Sequence, residues 1–181
     1  MFFIGVDPDA NGAVAVIDSK GKFLEVHDCP TYNIGKNGSK KVRVDVSGFS
    51  GVLTNIKDAY GPEIFLIMEE PVVMPKQGVV SQGVFMFGAG LIEGCIATLK
   101  IPYDKRKANE WKKVILRGLS AKSTKEKKEI SVQLARRLFP DTVPILTLKK
   151  HHGRAEAILL AEYARRMFVA LTDHLKEEKV A

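Results

Sequence analysis

A run of five apolar residues at positions 64–68 restricts the possible folds more than any other feature of the chain. Pro62 and Pro71 lie on either side of it, so the run is too short for a helix and is typical of a strand buried on both faces. Such strands lie inside sheets that carry helices on both faces. The run therefore predicts a layered α/β domain in which this strand is central and parallel to the first one.

The segments around this run predict a mixed sheet with flanking helices. Residues 2–6, 13–17 and 23–28 alternate with turns at Asn11-Gly12 and Lys20-Gly21, which predicts an antiparallel meander. Residues 30–43 are polar and rich in Gly and Lys, so we expect a loop or an edge hairpin there. Further helices are predicted over 47–61, over the glycine-rich stretch 78–99, from Ser123 to Pro140, and from 152 to beyond 168, with a last strand at 101–103.

Length and composition favour one domain with an anionic partner. The 181 residues, 45% of them hydrophobic, supply one core, and we expect a domain over 1–170 followed by a charged tail, 171–181. The net charge of +7 favours nucleic acid, although a solvated basic surface is the plain alternative. Cys29 and Cys95 lack the spacing of zinc ligands and are expected to be buried. We expect a soluble protein of a reducing compartment with no membrane partner, and a trimmed organelle precursor stays open.

Carboxylate and imidazole groups follow the ends of the predicted elements. Asp7 ends the first strand, and Glu69 or Glu70 ends the central strand, so a parallel pairing brings two carboxylates to one edge of the sheet. His152 and Glu156, at positions i and i+4, share one face at the start of the last helix. Such a set suits Mg²⁺ or Mn²⁺ better than zinc. Two ions about 3.5–4 Å apart would support phosphodiester hydrolysis.

Each of these features also has a simpler interpretation. Taken singly, Asp7 is equally consistent with a turn before Pro8, and His152 with a helix cap. Charge runs are usually solvated faces. Together with the carboxylates, however, the basic residues predict a channel for phosphates, with Lys36, Lys40, Lys41, Lys112, Lys113, Lys125, Lys149 and Lys150 as candidates for DNA binding.

Three motifs resemble the Holliday-junction resolvases of the RuvC superfamily, most closely the chloroplast type and its bacterial and phage relatives. They are DPD-x-x-GA on the first strand, the glutamate that ends the fourth strand, and HGRAEA at the start of the last helix, within residues 1–170. The resemblance implies an RNase H-like fold with a five-stranded sheet. It also implies a homodimer that nicks four-way DNA junctions symmetrically with two Mg²⁺ ions per active site, or Mn²⁺ in their place. The expected location is the bacterial or phage nucleoid, or the chloroplast for a mature organelle form.

The resemblance assigns roles residue by residue. It makes Asp7, Glu69, His152 and Glu156 the catalytic metal ligands, and it favours Glu69 over Glu70. Lys128 matches a lysine near the scissile phosphate, with Lys125 and Lys127 as alternatives. The stretch that resembles a base-reading loop contributes Lys76, Gln77 and Ser81 to the DNA-binding set.

The chain departs from the family in this loop. Valines at 72, 73, 79 and 80 stand where the family carries aromatic residues, so no aromatic wedge is predicted. Three other functions stay open: an RNase H-like nuclease for hybrids, flaps or forks; a junction-binding protein without cleavage; and a sugar-kinase-like ATPase. The last lacks a second glycine-rich phosphate loop.

Overall fold

The computed structural model describes residues 1–36, 39, 41–73, 78–119 and 123–178, and all of their side chains except 124, 125, 127, 149 and 173–178. The strands are β1 (Phe2–Asp7), β2 (Ala13–Asp18), β3 (Phe23–Asp28), β4 (Thr31–Asn33), β5 (Val42–Val44), β6 (Ile64–Glu69) and β7 (Tyr103–Arg106). The helices are α1 (Val46–Tyr60), α2 (Val79–Thr98), α3 (Ala108–Ile115), α4 (Thr124–Leu138) and α5 (His152–Glu178). Two 3-10 turns, Pro140–Ile145 and Lys149–His151, lead from α4 into α5.

Five strands form a mixed sheet in the order β3-β2-β1-β6-β7. The first three strands pair in antiparallel fashion, and β6 pairs in parallel with both β1 and β7. The register of β1 and β6 sets Val6 opposite Met68, so Asp7 and Glu69 leave the sheet at the same edge. The predicted five-stranded mixed α/β sheet is confirmed.

The two faces of the sheet carry separate hydrophobic clusters. Phe3 packs with α3, α4 and α5, whereas Ile4 and Val6 pack with α1 and α2. Between them Gly5 lets α5 approach β1 so closely that a Cβ at this position would overlap the backbone of Ala157. The small residues of α5 therefore bring its N-terminal turn up to the carboxyl end of β1.

Two predictions about the middle of the chain were wrong. The last strand was expected at 101–103 but spans Tyr103–Arg106, because Pro102 lacks an N–H and Ile101 caps α2 through its N–H to Ile96 O. Helix α3 was missed: its amphipathic pattern consists of little more than Trp111 and Ile115, which are buried and one turn apart.

The structure also bears on the predictions for the 30–43 segment, the two cysteines and the C-terminal tail. The 30–43 segment forms the β4–β5 hairpin, which was one of its two predicted conformations. Cys29 and Cys95 are buried. Helix α5 continues through position 171 to Glu178, so the predicted tail is helical up to that residue. The boundary between domain and tail stays a prediction.

Helix α2 exposes much of its apolar surface. By length and composition it could cross a membrane, and only 22% of the apolar window is buried within the chain. Length and composition do not distinguish a membrane-spanning helix from one that packs on another protein. The expected absence of a membrane partner stays a prediction.

Candidate active site

Three carboxylates lie together where β1, β6 and α5 meet. Asp7 ends β1 and is 9% exposed. Burial raises the pKa of Asp7 well above its usual value, and the neighbouring Glu156 and Glu69 raise it further. Burial also raises the pKa of Glu69, against the opposing effect of Lys112. The cluster therefore places acidic groups close together where they are poorly solvated.

Helix α3 supplies the side chains that neutralise and orient two of these carboxylates. Lys112 Nζ donates to Glu156 Oε1 and Oε2 at 2.9 and 3.0 Å and lies 3.9 Å from Glu69 Oε2. Trp111 Nε1 donates to Glu69 Oε2 at 2.8 Å, and Ser131 Oγ on α4 donates to Glu156 Oε1 at 3.3 Å. Among the side chains that the structure describes, Lys112 thus provides a positive charge in direct contact with the cluster.

The geometry distinguishes the two adjacent glutamates. Glu69 lies against Trp111 and Lys112 and is close enough to Asp7 to raise its pKa. Glu70 instead influences Lys105, whose pKa it helps to raise. Of the two glutamates, it is Glu69 that lies with the other carboxylates.

His152 and Lys128 form a second part of the site, one helical turn from Glu156. Lys128 Nζ lies 3.2 Å from His152 Nε2, a contact in which the ring nitrogen accepts from the ammonium group. Within the described residues, no three acidic, histidine or cysteine side chains converge tightly enough to hold a metal ion as they stand. The imidazole faces Lys128, and Lys112 lies against two of the carboxylates.

The turn before α5 is held close to β1 by a glycine. A Cβ on Gly153 would overlap the carbonyl oxygen of Asn11 and lie 2.9 Å from Gly12 Cα. Arg154, the next residue, makes a two-point ion pair with Asp28 at 2.5 and 2.6 Å. These contacts fix the start of α5, and with it His152 and Glu156, next to the Asp7 turn.

The donor set fits a hard divalent cation better than a soft one. Asp7, Glu69 and Glu156 offer six carboxylate oxygens, and their mutual repulsion in a partly dry site would be relieved by a bound cation. His152 adds one nitrogen at the rim. A bound cation would take over from Lys112, whose ammonium group already contacts two of the carboxylates.

Two grooves continue from the acidic cleft, and the first of them is basic. The cleft, about 370 Å³, is lined by Asp9, Glu69, Glu70 and Val72 among others. Through Val72 it joins a groove of about 870 Å³ lined by basic residues of and around α3: Lys107, Lys112, Lys113 and Arg117. Through Asp9 and Phe85 it joins a groove of about 800 Å³ of mixed charge, in which Lys41, Arg43 and Ser81 lie together with Asp9 and Asp45.

The predicted DNA-binding residues are therefore only partly brought together. Lys112 and Lys113 line one groove, and Lys41 and Ser81 line the other. Lys150 lies near Asp28, whose pKa it helps to lower, and Lys36 is exposed after β4. Lys40, Lys76 and Gln77 lie outside the described residues, as do the side chains of Lys125, Lys127 and Lys149.

Sequence reasoning missed two side chains that contact the carboxylates. Neither Trp111 nor Ser131 was among the residues that the sequence singled out. The available signal for Trp111 was a lone tryptophan one turn before Ile115, in a segment that begins after the last strand. No local pattern marks Ser131, because its partner Glu156 is 25 residues away in sequence.

The sheet, its strand order and the flanking helices define an RNase H-like fold. A solved structure of T. thermophilus RuvC in complex with Holliday junction substrate superposes with a TM-score of 0.60 at 14% identity, covering 92% of this chain and 96% of that one. A second Thermus thermophilus RuvC structure has a TM-score of 0.48 at 17% identity, with the same coverages.

One curated protein shares sequence with the chain. It is 34% identical over 98 residues to the chloroplastic Holliday junction resolvase MOC1 of Chlamydomonas reinhardtii. The match covers 54% of this chain and 10% of that protein, so it spans about a tenth of the relative's length. No family model matches the chain.

Proposed function

We propose that the chain is a Holliday-junction resolvase, an endonuclease that nicks four-way DNA junctions symmetrically with divalent metal ions. The observation that carries the proposal is that Asp7, Glu69 and Glu156 lie together at one edge of an RNase H-like sheet, between a basic groove and a second groove of mixed charge. The match to a chloroplastic junction resolvase and the fold shared with RuvC support this choice of substrate. They also favour a compartment that contains DNA, the nucleoid or the chloroplast.

The proposed roles of the side chains are metal binding and contact with the scissile phosphate. Asp7, Glu69, Glu156 and His152 would hold two Mg²⁺ or Mn²⁺ ions, which activate water and stabilise the leaving oxygen in phosphodiester hydrolysis. Lys128 is placed at the rim, where its ammonium group can donate to an oxygen of the scissile phosphate. The raised pKa of Asp7 reflects a negative charge that is costly without a cation.

The grooves give the DNA a path through the site. Negative charge at the cleft alone would repel a phosphate backbone, but Lys107, Lys113 and Arg117 on one side, and Lys41 and Arg43 on the other, supply cations. Phosphates on both sides of the scissile one can therefore be neutralised while the scissile phosphate lies over the carboxylates. Ser81 contributes a hydroxyl group to the second groove.

A dimer accounts for the exposed face of α2. Val79 and Met86 are 85% and 37% exposed and do not line the second groove, and a Cβ built on Gly83, Gly90 or Gly94 would contact nothing within 4 Å. A second copy of α2 can approach this face closely, because glycines leave room for its side chains. Two active sites in one dimer are what paired cuts in opposing strands need.

Cleavage assays on matched DNA substrates test the function. The wild type with Mg²⁺ should place paired symmetric nicks in a synthetic four-way junction and cut a fork, an RNA–DNA hybrid and a duplex of the same length far more slowly. Asp7→Asn and Glu156→Gln should abolish the nicks. Asp58→Asn, which changes an exposed carboxylate on α1, should leave them unchanged. Tight junction binding without cleavage, or faster cutting of the hybrid, would contradict the proposal.

Light scattering after size exclusion tests the dimer. The wild type should elute as a dimer, and Gly90→Glu should be monomeric because it places charge in the apolar face of α2. Gly51→Glu is the matched control, since Gly51 also lies exposed in a helix with open space around it. A monomeric wild type at micromolar concentration would refute the α2 interface.

A further inference from the structure

Trp111 lies behind the carboxylate cluster and is the single tryptophan of the chain. Its side chain is fully buried in the hydrophobic cluster under α5, together with Ile115. The indole N–H can only donate, and a buried indole needs an acceptor for it. That acceptor is Glu69 Oε2, at 2.8 Å.

The fold holds this ring rigidly against the end of β6. Strand β7 pairs with β6 up to the pair Glu69 and Arg106, and α3 begins two residues later. The chain therefore turns across the end of β6 as soon as β7 ends. The ring is fully buried, with Lys112 Nζ 4.9 Å from its centroid, so the position of its N–H is set by packing within the protein and not by solvent.

The two donors to Glu69 differ in charge. Lys112 carries a positive charge that a divalent cation would compete with, whereas the indole is neutral and can keep its hydrogen bond when a cation is present. Among the described residues, none donates a hydrogen bond to Glu69 Oε1. One oxygen of Glu69 is thus fixed by the protein, and the other is available.

We propose that Trp111 is a positioning residue for the metal site: its N–H holds Glu69 Oε2 and thereby presents Oε1 to the divalent cation. The inference rests on the proposed function, because it assumes that Glu69 binds the metal. Partners that orient metal-binding side chains typically change metal affinity by about 10- to 100-fold when removed. Trp111 would act on metal affinity before any DNA is bound.

Mn²⁺ titration followed by the electron paramagnetic resonance signal of free Mn²⁺ tests this without an activity assay. Trp111→Phe keeps an aromatic ring in the core but removes the donor, so we expect Mn²⁺ binding to weaken by about tenfold or more. Ile115→Val is the matched control: it trims the same cluster one turn away and should leave the affinity unchanged. A benzothiophene analogue of tryptophan at 111 keeps the ring shape without the N–H and should behave like Trp111→Phe.

The outcomes separate this inference from the proposed function. If Trp111→Phe and the benzothiophene variant both bind Mn²⁺ as tightly as the wild type does, while Glu156→Gln loses binding, the role of Trp111 is overturned and the metal site is retained. A wild type that binds no more Mn²⁺ than Glu156→Gln would overturn both. If Trp111→Phe does not fold, the benzothiophene variant decides, because its shape matches the native ring.

Discussion

Gly153→Ala tests whether the close approach of α5 to the Asp7 turn builds the site. The added methyl group would overlap Asn11 O, lie 2.9 Å from Gly12 Cα and lie 3.0 Å from Asn11 C, all backbone atoms that cannot rotate away. Ordinary contact begins at 3.4 Å, so the start of α5 must move outward. Overpacking of this kind costs about 1–3 kcal/mol, reduced by up to about 1 kcal/mol because alanine favours helix.

The shift would carry His152 and Glu156 away from Asp7. A misplacement of about 1 Å in a catalytic site lowers the rate by about 100-fold. We therefore expect urea denaturation to show a loss of about 1–2 kcal/mol, and the junction assay a rate loss of about two orders of magnitude. Gly51→Ala, in open space on α1, should instead gain up to about 1 kcal/mol with unchanged cleavage. A Gly153→Ala protein as stable and active as the wild type would refute the packing argument.

Three further predictions concern charges. Asp7→Asn should stabilise the metal-free protein at pH 7, because burial and the neighbouring Glu156 raise the pKa of Asp7, so its charge destabilises the fold. The gain should vanish as the pH falls below 3.8, the usual pKa of the group, and a difference in urea midpoint that stays constant with pH would contradict this. The hydrogen bond from Arg154 lowers the pKa of Asp28, so this ion pair stabilises the fold above pH 3.8 and stops doing so as the pH falls through the lowered pKa of Asp28. Asp28→Asn should therefore lower the free energy of unfolding by about 0.5–1 kcal/mol at pH 7 and leave it unchanged at low pH, as measured by urea unfolding. Lys112→Met should destabilise the metal-free protein by about 2 kcal/mol, because Glu156 loses its ion-pair partner. In thermal melts, saturating Mn²⁺ should reduce the difference in melting temperature between Lys112→Met and the wild type. A difference that Mn²⁺ leaves unchanged would contradict the idea that the metal replaces the charge of Lys112.

The sequence was sufficient to predict how distant carboxylates meet. The apolar run that became β6 implied a central strand parallel to β1, and parallel strands end at the same edge, so Asp7 and one of Glu69 and Glu70 were expected to be neighbours. This inference depends on backbone geometry, which short-range patterns specify well.

The orientation of side chains around the cluster could not be predicted in the same way. Whether Trp111 reaches Glu69 depends on where α3 begins after β7, and the strand itself was misplaced because Pro102 shifts its start. The role of Lys112 was taken to be phosphate binding, since sequence alone cannot tell a lysine that faces DNA from one that faces a carboxylate 44 residues away. Packing between helices decides both.

Anomalous diffraction from crystals grown with Mn²⁺ would test the central claim most directly. We expect Mn²⁺ peaks between Asp7, Glu69 and Glu156, with the Lys112 ammonium group displaced from Glu156 and the Trp111 hydrogen bond to Glu69 kept. Crystals with no peak at the carboxylates at millimolar Mn²⁺, and with Lys112 still bonded to Glu156, would contradict the account.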